Sequence, residues 1–259
     1  MFWLALRDGG ARHPGRWAIG VAASPVIAFE LAVGGTDVPM VAFLCLGFAL
    51  LWGAQGRTCR PVLAGLALGA AAAMKATAWP AVAVAVALLA VRDGKRAVRA
   101  FILTVLAVMA VCIGPFLAQP RSLVDNTIKF PLGLASVNSQ ASSPLPGHVI
   151  AETGPLGHAI VVVALVLAGL TIATWLVVRP PRTVPRAVAL LALAMTLMFA
   201  LGPSTRFGYF IYPATLAFWL LVVVAGRRRQ QPPLTPDPGV LPARPRTRGP
   251  TSPATQPAG

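Results

Sequence analysis

The chain has 259 residues, 56% of them hydrophobic and only 11% charged, with 22 basic and 7 acidic side chains and a formal charge of +15. A soluble domain carries about 25% charged residues. The shortfall, a mean hydropathy of +0.73 and repeated long apolar runs exclude an ordinary soluble protein and place the chain in the membrane class. The basic residues lie between apolar runs, where they orient helices, so nucleic acid is not an expected partner. Cys45 and Cys112 fall inside apolar runs and Cys59 in a basic loop, with no disulfide or metal-ligand spacing.

In chain order, MFWLALRDGG opens the sequence. Its apolar piece is too short for a signal peptide and has no cleavage site; residues 1–16 are expected to form a cytoplasmic segment. Apolar runs predict spans at 17–33, 38–53, 61–74, 77–91, 100–118, 158–178, 187–201 and 208–225. The expected fold is therefore all-α, a polytopic membrane protein of about eight transmembrane helices over 17–225. From 226 the chain reads GRRRQQPPLTPDPGVLPARPRTRGPTSPATQPAG. That composition cannot bury a core, and it predicts a disordered cytoplasmic tail.

The run 61–91 carries one lysine, Lys75, near its middle. A single helix would be about 46 Å long, against a hydrocarbon core of about 30 Å. It would also hold an ammonium near the bilayer centre at about 2.5 to 3.5 kcal/mol. Two short helices meeting near Lys75 avoid that cost. Pro80 suits the first turn of a second helix and Trp79 a membrane–water interface. The expected result is a short hairpin or a pair of tilted half-spans.

Charge asymmetry supports the same topology. With eight passes and the N-terminus inside, eighteen basic residues face the cytoplasm, and only Lys75, Arg121, Lys129 and Arg206 face out. Reading 61–91 as one pass breaks the positive-inside rule from that point on. Both termini are then cytoplasmic. Glu30, Asp37, Asp125 and Glu152 fall on the outer side, as does the longest loop, 119–157. Loops of that length are uncommon unless functional or disordered.

The outer face thus collects carboxylates and isolated cations. Each has a plainer reading. Asp37 follows Gly34-Gly35-Thr36 and precedes Val38-Pro39, which is helix N-cap chemistry. Glu30 can face water at a helix end. Lys75 can snorkel to headgroups, and Arg206, beside Tyr209 and Tyr212, can anchor at the interface. His148 and His158 read as loop and interface residues, with nothing pairing them as metal ligands. Gly65 and Gly69 form a small-xxx-small pair, a mark of close helix packing.

Three stretches resemble a known family. LAGLALGAAAAMKATAWPAVAVAVALL is similar to the glycine-rich span, lysine and proline-marked helix of the polyprenyl-phosphate-mannose-dependent alpha-mannosyltransferases, membrane glycosyltransferases of the GT-C class. GGTDVPMVAFLCLGFALL resembles that family's Gly-x-Asp opening of an earlier span. TRFGYFIYPATLAFWLL resembles its late outer turn. The family's catalytic acid sits in its first large outer loop, but here the first outer turn, around 33–37, is short. MFWLALRDGG looks like the tail of an earlier span. The chain is expected to lack the amino-terminal part of the family fold, or to start elsewhere, unless Asp37 substitutes.

The resemblance implies transfer of a sugar, mannose by analogy, from a polyprenyl-phosphate donor to a glycan or glycolipid acceptor at the outer face of the cell membrane. It implies Asp37 as catalytic carboxylate, with Lys75, Arg206, Lys129 and Glu152 as substrate-binding groups. No residue is expected as a metal ligand, although a divalent metal is compatible with the chemistry. The competing readings are a transporter or permease subunit, whose polar groups sit near the midplane, and a non-catalytic membrane protein. The Ala-, Arg- and Pro-rich usage points to a GC-rich bacterial genome.

Overall fold

The computed structural model describes residues 1–25, 27–28, 37–52, 59–118, 120–125 and 143–230. Most of these residues are helical, with no strand among them. In order they form α1 (Phe2–Gly9), α2 (Pro14–Ala22), α3 (Asp37–Trp52), α4 (Cys59–Met74), α5 (Trp79–Arg92), α6 (Gly94–Ile113), α7 (Pro120–Val124), α8 (Pro146–Ala151), α9 (Pro155–Val178), α10 (Val184–Leu201) and α11 (Ile211–Gln230).

Four apolar stretches among the described residues are long enough to cross a membrane: Gly94–Phe116, Pro155–Val178, Val184–Leu201 and Phe207–Arg227. Asp37–Trp52, Cys59–Met74 and Ala76–Arg92 are shorter apolar helices. Four full-length spans therefore stand against the eight expected. The run at 17–33 and the loop 119–157 lie partly outside the described residues, and Glu30, Lys129 and the tail beyond Gln230 lie wholly outside them.

The break inside 61–91 falls at the lysine. The α4 ladder ends at Met74, Lys75 is extended at φ −151°, ψ 138°, and Ala76–Ala78 make one 3₁₀ turn. Trp79 then opens α5, with Pro80 in the first turn, where its missing N–H costs nothing. The Trp79 indole N–H donates to the Ala72 carbonyl at 3.2 Å, closing the turn.

Two glycines fix the direction of the chain after this turn. A Cβ on Gly65 would meet the Phe101 carbonyl and Thr104 at 2.9 Å; one on Gly69 would meet Val108 and Val105 at 3.1 and 3.2 Å. Residue numbers rise together along the two helices, so α4 and α6 run parallel at backbone-close distance, as the small-xxx-small pair predicts. The intervening α5 must run back the other way. The chain reverses at Lys75, and α5 packs on α6 and α10. Asp93 and Gly94, at φ 79°, make the next turn.

The core is assembled from one stripe per helix. Met40, Leu44, Phe48 and Leu51 of α3 meet Leu68 and Ala71 of α4, Val188, Leu191 and Met195 of α10, and Leu216, Trp219 and Val223 of α11. Spacings of three and four residues keep each stripe on one face. Helix α1 is part of this bundle: Ala5 and Leu6 are fully buried, and the Trp219 indole donates to the Ala5 carbonyl at 3.2 Å. The opposite faces stay apolar and open, most of all on α9, where Leu156, Val163, Leu167 and Leu170 are exposed. That is the surface a lipid-facing helix presents.

The helix directions sort the ends of the bundle. Asp37, Lys75, α8 and the turn 201–212 share one end. Gly9, Trp52, Arg92, Arg179 and Arg227 share the other.

Candidate functional site

At the first of these ends the start of α3, the break after α4 and the start of α11 meet. Asp37 opens α3, where a carboxylate also suits the positive end of the helix dipole. It is buried, at 7% exposure. The Lys75 ammonium donates to Asp37 Oδ1 as an ion pair, and the Tyr212 hydroxyl donates to the same oxygen at 2.6 Å. Residues 38 and 175 positions from Asp37 in sequence thus converge on one atom. The Thr77 hydroxyl, in the turn just after Lys75, reaches the Met40 sulfur at 3.7 Å.

Lys75 has a second support. Its ammonium lies 5.8 Å from the centre of the Tyr209 ring, within cation–π range. Tyr209 and Tyr212 each pack on Phe199 with centroids 5.4 Å apart. The three-residue step from Arg206 to Tyr209 to Tyr212 matches the 3₁₀ turn Phe207–Phe210 running into α11, so both phenols reach the same side. About a third of the Lys75 side chain, 31%, remains open. The cation is held by the carboxylate and the ring.

Arg206 stands three residues from Tyr209, whose backbone N–H bonds the Arg206 carbonyl at 3.0 Å. Its side chain is exposed, with no carboxylate partner among the described residues. The turn that carries it is clamped on both flanks. Ser143 N–H donates to the Thr205 carbonyl at 3.1 Å, and the Phe207 N–H donates to Ser143 Oγ at 3.2 Å. His148 Nδ1 lies 2.9 Å from the Pro203 carbonyl, and its Nε2 lies 3.1 Å from Glu152. The end of the long loop is therefore docked on the Arg206 turn.

Of the residues expected from sequence, the structure joins Asp37 directly to Lys75 and links both to the Arg206 segment through the two tyrosines. Glu152 is mostly exposed and engages His148, not a cation of this cluster. Lys129 lies outside the described residues. Tyr209 and Tyr212, taken from sequence as interface aromatics, are the members that sequence reasoning missed. The signal was their spacing of three from Arg206. Among the described residues no group of three or more His, Cys, Asp or Glu is placed to hold a metal ion.

A carboxylate, two phenols and a partly exposed lysine make a fixed cation at a helix break. Such a cation can take an anionic oxygen, and with an exposed arginine nearby it can take a phosphate. No curated protein and no solved structure matches the chain. The model of glycosyltransferase family 87 matches residues 1–204, which hold Asp37 and Lys75 but stop short of Arg206 and both tyrosines. With four-fifths of its length matched, the chain belongs to glycosyltransferase family 87, a GT-C-type family of membrane glycosyltransferases.

Proposed function

We propose that the chain takes part in moving a mannosyl residue from a polyprenyl-phosphate donor to a glycan or glycolipid acceptor on the outer face of the membrane. The observation that carries this reading is the Lys75 ammonium, fixed by Asp37 and Tyr209 on a side chain that is 31% exposed. In the transfer, the bond from the sugar C1 to the phosphate oxygen breaks and a bond from C1 to the acceptor oxygen forms. The bonding electrons leave on the lipid phosphate, and the acceptor hydroxyl loses its proton. Lys75 and Arg206 are the groups we assign to the phosphate, where positive charge counts most as the leaving group departs. Lys129 and Glu152 are assigned to the sugar and acceptor side. The polyprenyl tail lies in the lipid beside the open helix faces.

Asp37 has two tasks here. Its Oδ1 holds Lys75, and we assign Oδ2 to the acceptor proton. Asparagine at this position weakens both. In membranes supplied with radiolabelled polyprenyl-phosphate-mannose, Asp37→Asn is expected to raise the donor KM about tenfold and to lower kcat about a hundredfold. A normal kcat with a raised KM would restrict Asp37 to holding Lys75. Lys75→Ala is expected to reduce kcat/KM at least about a hundredfold, in line with the loss of one preorganised donor. Unchanged transfer by folded Lys75→Ala removes Lys75 from the site.

The transporter reading rests on a buried ion pair between helices, a feature those proteins use near the midplane. Here the pair joins the first residue of α3 to the break just after α4, a position at the end of the bundle. That placement favours chemistry at the membrane surface.

A further inference from the structure

The opposite end of the bundle holds a cleft that plays no part in the transfer site. It lies where α9 ends and α10 begins, with a volume of about 660 Å³. Arg179, Arg182 and Arg186 line it together with Trp175, Leu190 and Leu193. All three arginines are exposed. Among the described residues the ion pairs involve other groups, and none pairs a carboxylate with any of the three. Pro180 and Pro181 stiffen the short link between the helices. The arginines are thereby held around one opening.

Arginines that merely orient a helix need only reach water. These three share one cleft with apolar side chains and with a tryptophan exposed near the end of a membrane-length helix. A ligand that fills it needs an anionic head for the guanidinium groups and a hydrocarbon portion for Leu190 and Leu193. A membrane phospholipid has both, joined at the depth of the interface, where tryptophan is favoured. Guanidinium forks suit phosphate oxygens better than ammonium groups do. Basic pockets between membrane helices bind anionic headgroups by this combination.

We propose that this cleft is a binding site for one anionic phospholipid, its phosphate held by Arg179, Arg182 and Arg186 and an acyl chain laid along Leu190 and Leu193. The site is separate from the Lys75 cluster and does not depend on the glycosyl-transfer reading. The bound lipid ties α9 to α10 at the end opposite the chemistry.

Native mass spectrometry of the purified full chain tests it, with phosphatidylglycerol, phosphatidylcholine and inorganic phosphate as separate additions. One phosphatidylglycerol molecule is expected to be retained where phosphatidylcholine is lost. Arg182→Gln and Arg186→Gln, each leaving two cations in the loop, should weaken retention about fivefold apiece. Lys95→Gln, at the same end but away from the cleft, should not. Both arginines are exposed, so the variants keep the fold, and an unchanged helical spectrum and melting midpoint in phosphatidylcholine micelles check that. Equal retention of phosphatidylcholine, equal weakening by Lys95→Gln, or displacement of the lipid by inorganic phosphate would overturn the proposal.

Discussion

The two ends of the bundle hold their cations in different ways. At one, Lys75 is fixed by groups far off in sequence: the Asp37 carboxylate, with the Tyr212 hydroxyl on the same oxygen, and the Tyr209 ring. At the other, Arg7 and Arg92 pair with the carboxylate next to them in sequence. Arg7 bonds Asp8 at 3.2 Å and stacks 5.0 Å over Trp3, and Arg92 bonds Asp93 at 2.7 Å. Arg227, the exception, lies 4.5 Å over Trp52 and donates to the Gly9 carbonyl, pinning α1 and α3 to α11. A neighbouring pair forms in any loop and says little about function. A partly buried pair that closes only when three helices have assembled is costly to desolvate, and its persistence at a helix break points to a use for the cation. One end is anchored; the other is poised.

That contrast is broken most sharply at Lys75 itself. Lys75→Met strands a buried carboxylate, and chemical denaturation in detergent should show a loss of about 3 kcal/mol, the low end of the buried-pair range because Lys75 is partly open. Adding Asp37→Leu to Lys75→Met should restore much of that stability while transfer stays absent. If the double variant is as unstable as the single one, packing and not charge holds the three helices together.

Next in size is the phenol. Tyr212→Phe keeps the ring against Phe199 and removes only the donor to Asp37. It should reduce kcat/KM for the donor lipid about tenfold, the worth of one hydrogen bond to a charged group. Tyr209→Phe keeps the ring that faces Lys75 and should leave the same ratio within about twofold. Equal effects of the two substitutions would contradict the separate roles of hydroxyl and ring. Gly65→Ala drives a methyl into the Phe101 carbonyl and Thr104; a loss of about 1 to 3 kcal/mol is expected for overpacking, with transfer retained in whatever remains folded. The smallest effect on transfer belongs to the anchored end. Arg227→Ala should lower the melting midpoint yet change kcat/KM less than about twofold, since it removes only an exposed-type cation–π contact and one hydrogen bond.

Much of this was legible before the fold. The break at Lys75 followed from the length of 61–91, and the apolar runs 38–53, 61–74 and 158–178 coincide with the helices α3, α4 and α9, of which only α9 is long enough to cross a membrane. The expected start of the span at 100 came too late, because Lys95, Arg96 and Arg99 form the first turns of α6; charge at a helix end marks the membrane boundary, not the helix boundary. Helix faces could not be read. A lipid-exposed side is as apolar as a packed one, so hydropathy along α9 gives no hint that it is the most open of the four membrane-length stretches. Asp37, Lys75 and Arg206 were legible as polar outliers on one side. Their geometry was not, since Tyr212 meets Asp37 only through the packing of α11 on α3.

The central claim is that the Lys75 end faces the outside and receives the donor lipid. It is tested most directly at Phe207, which is exposed and adjacent to Arg206. Phe207→Cys is placed in a chain whose exposed Cys59 and Cys112 are changed to serine, and intact cells and isolated membranes are treated with a membrane-impermeant maleimide. The account predicts labelling from the outer side, slowed at least about fivefold by saturating polyprenyl-phosphate-mannose, as for a site buried under its ligand. Labelling only from the cytosolic side, or at a rate the donor lipid leaves unchanged, would contradict it.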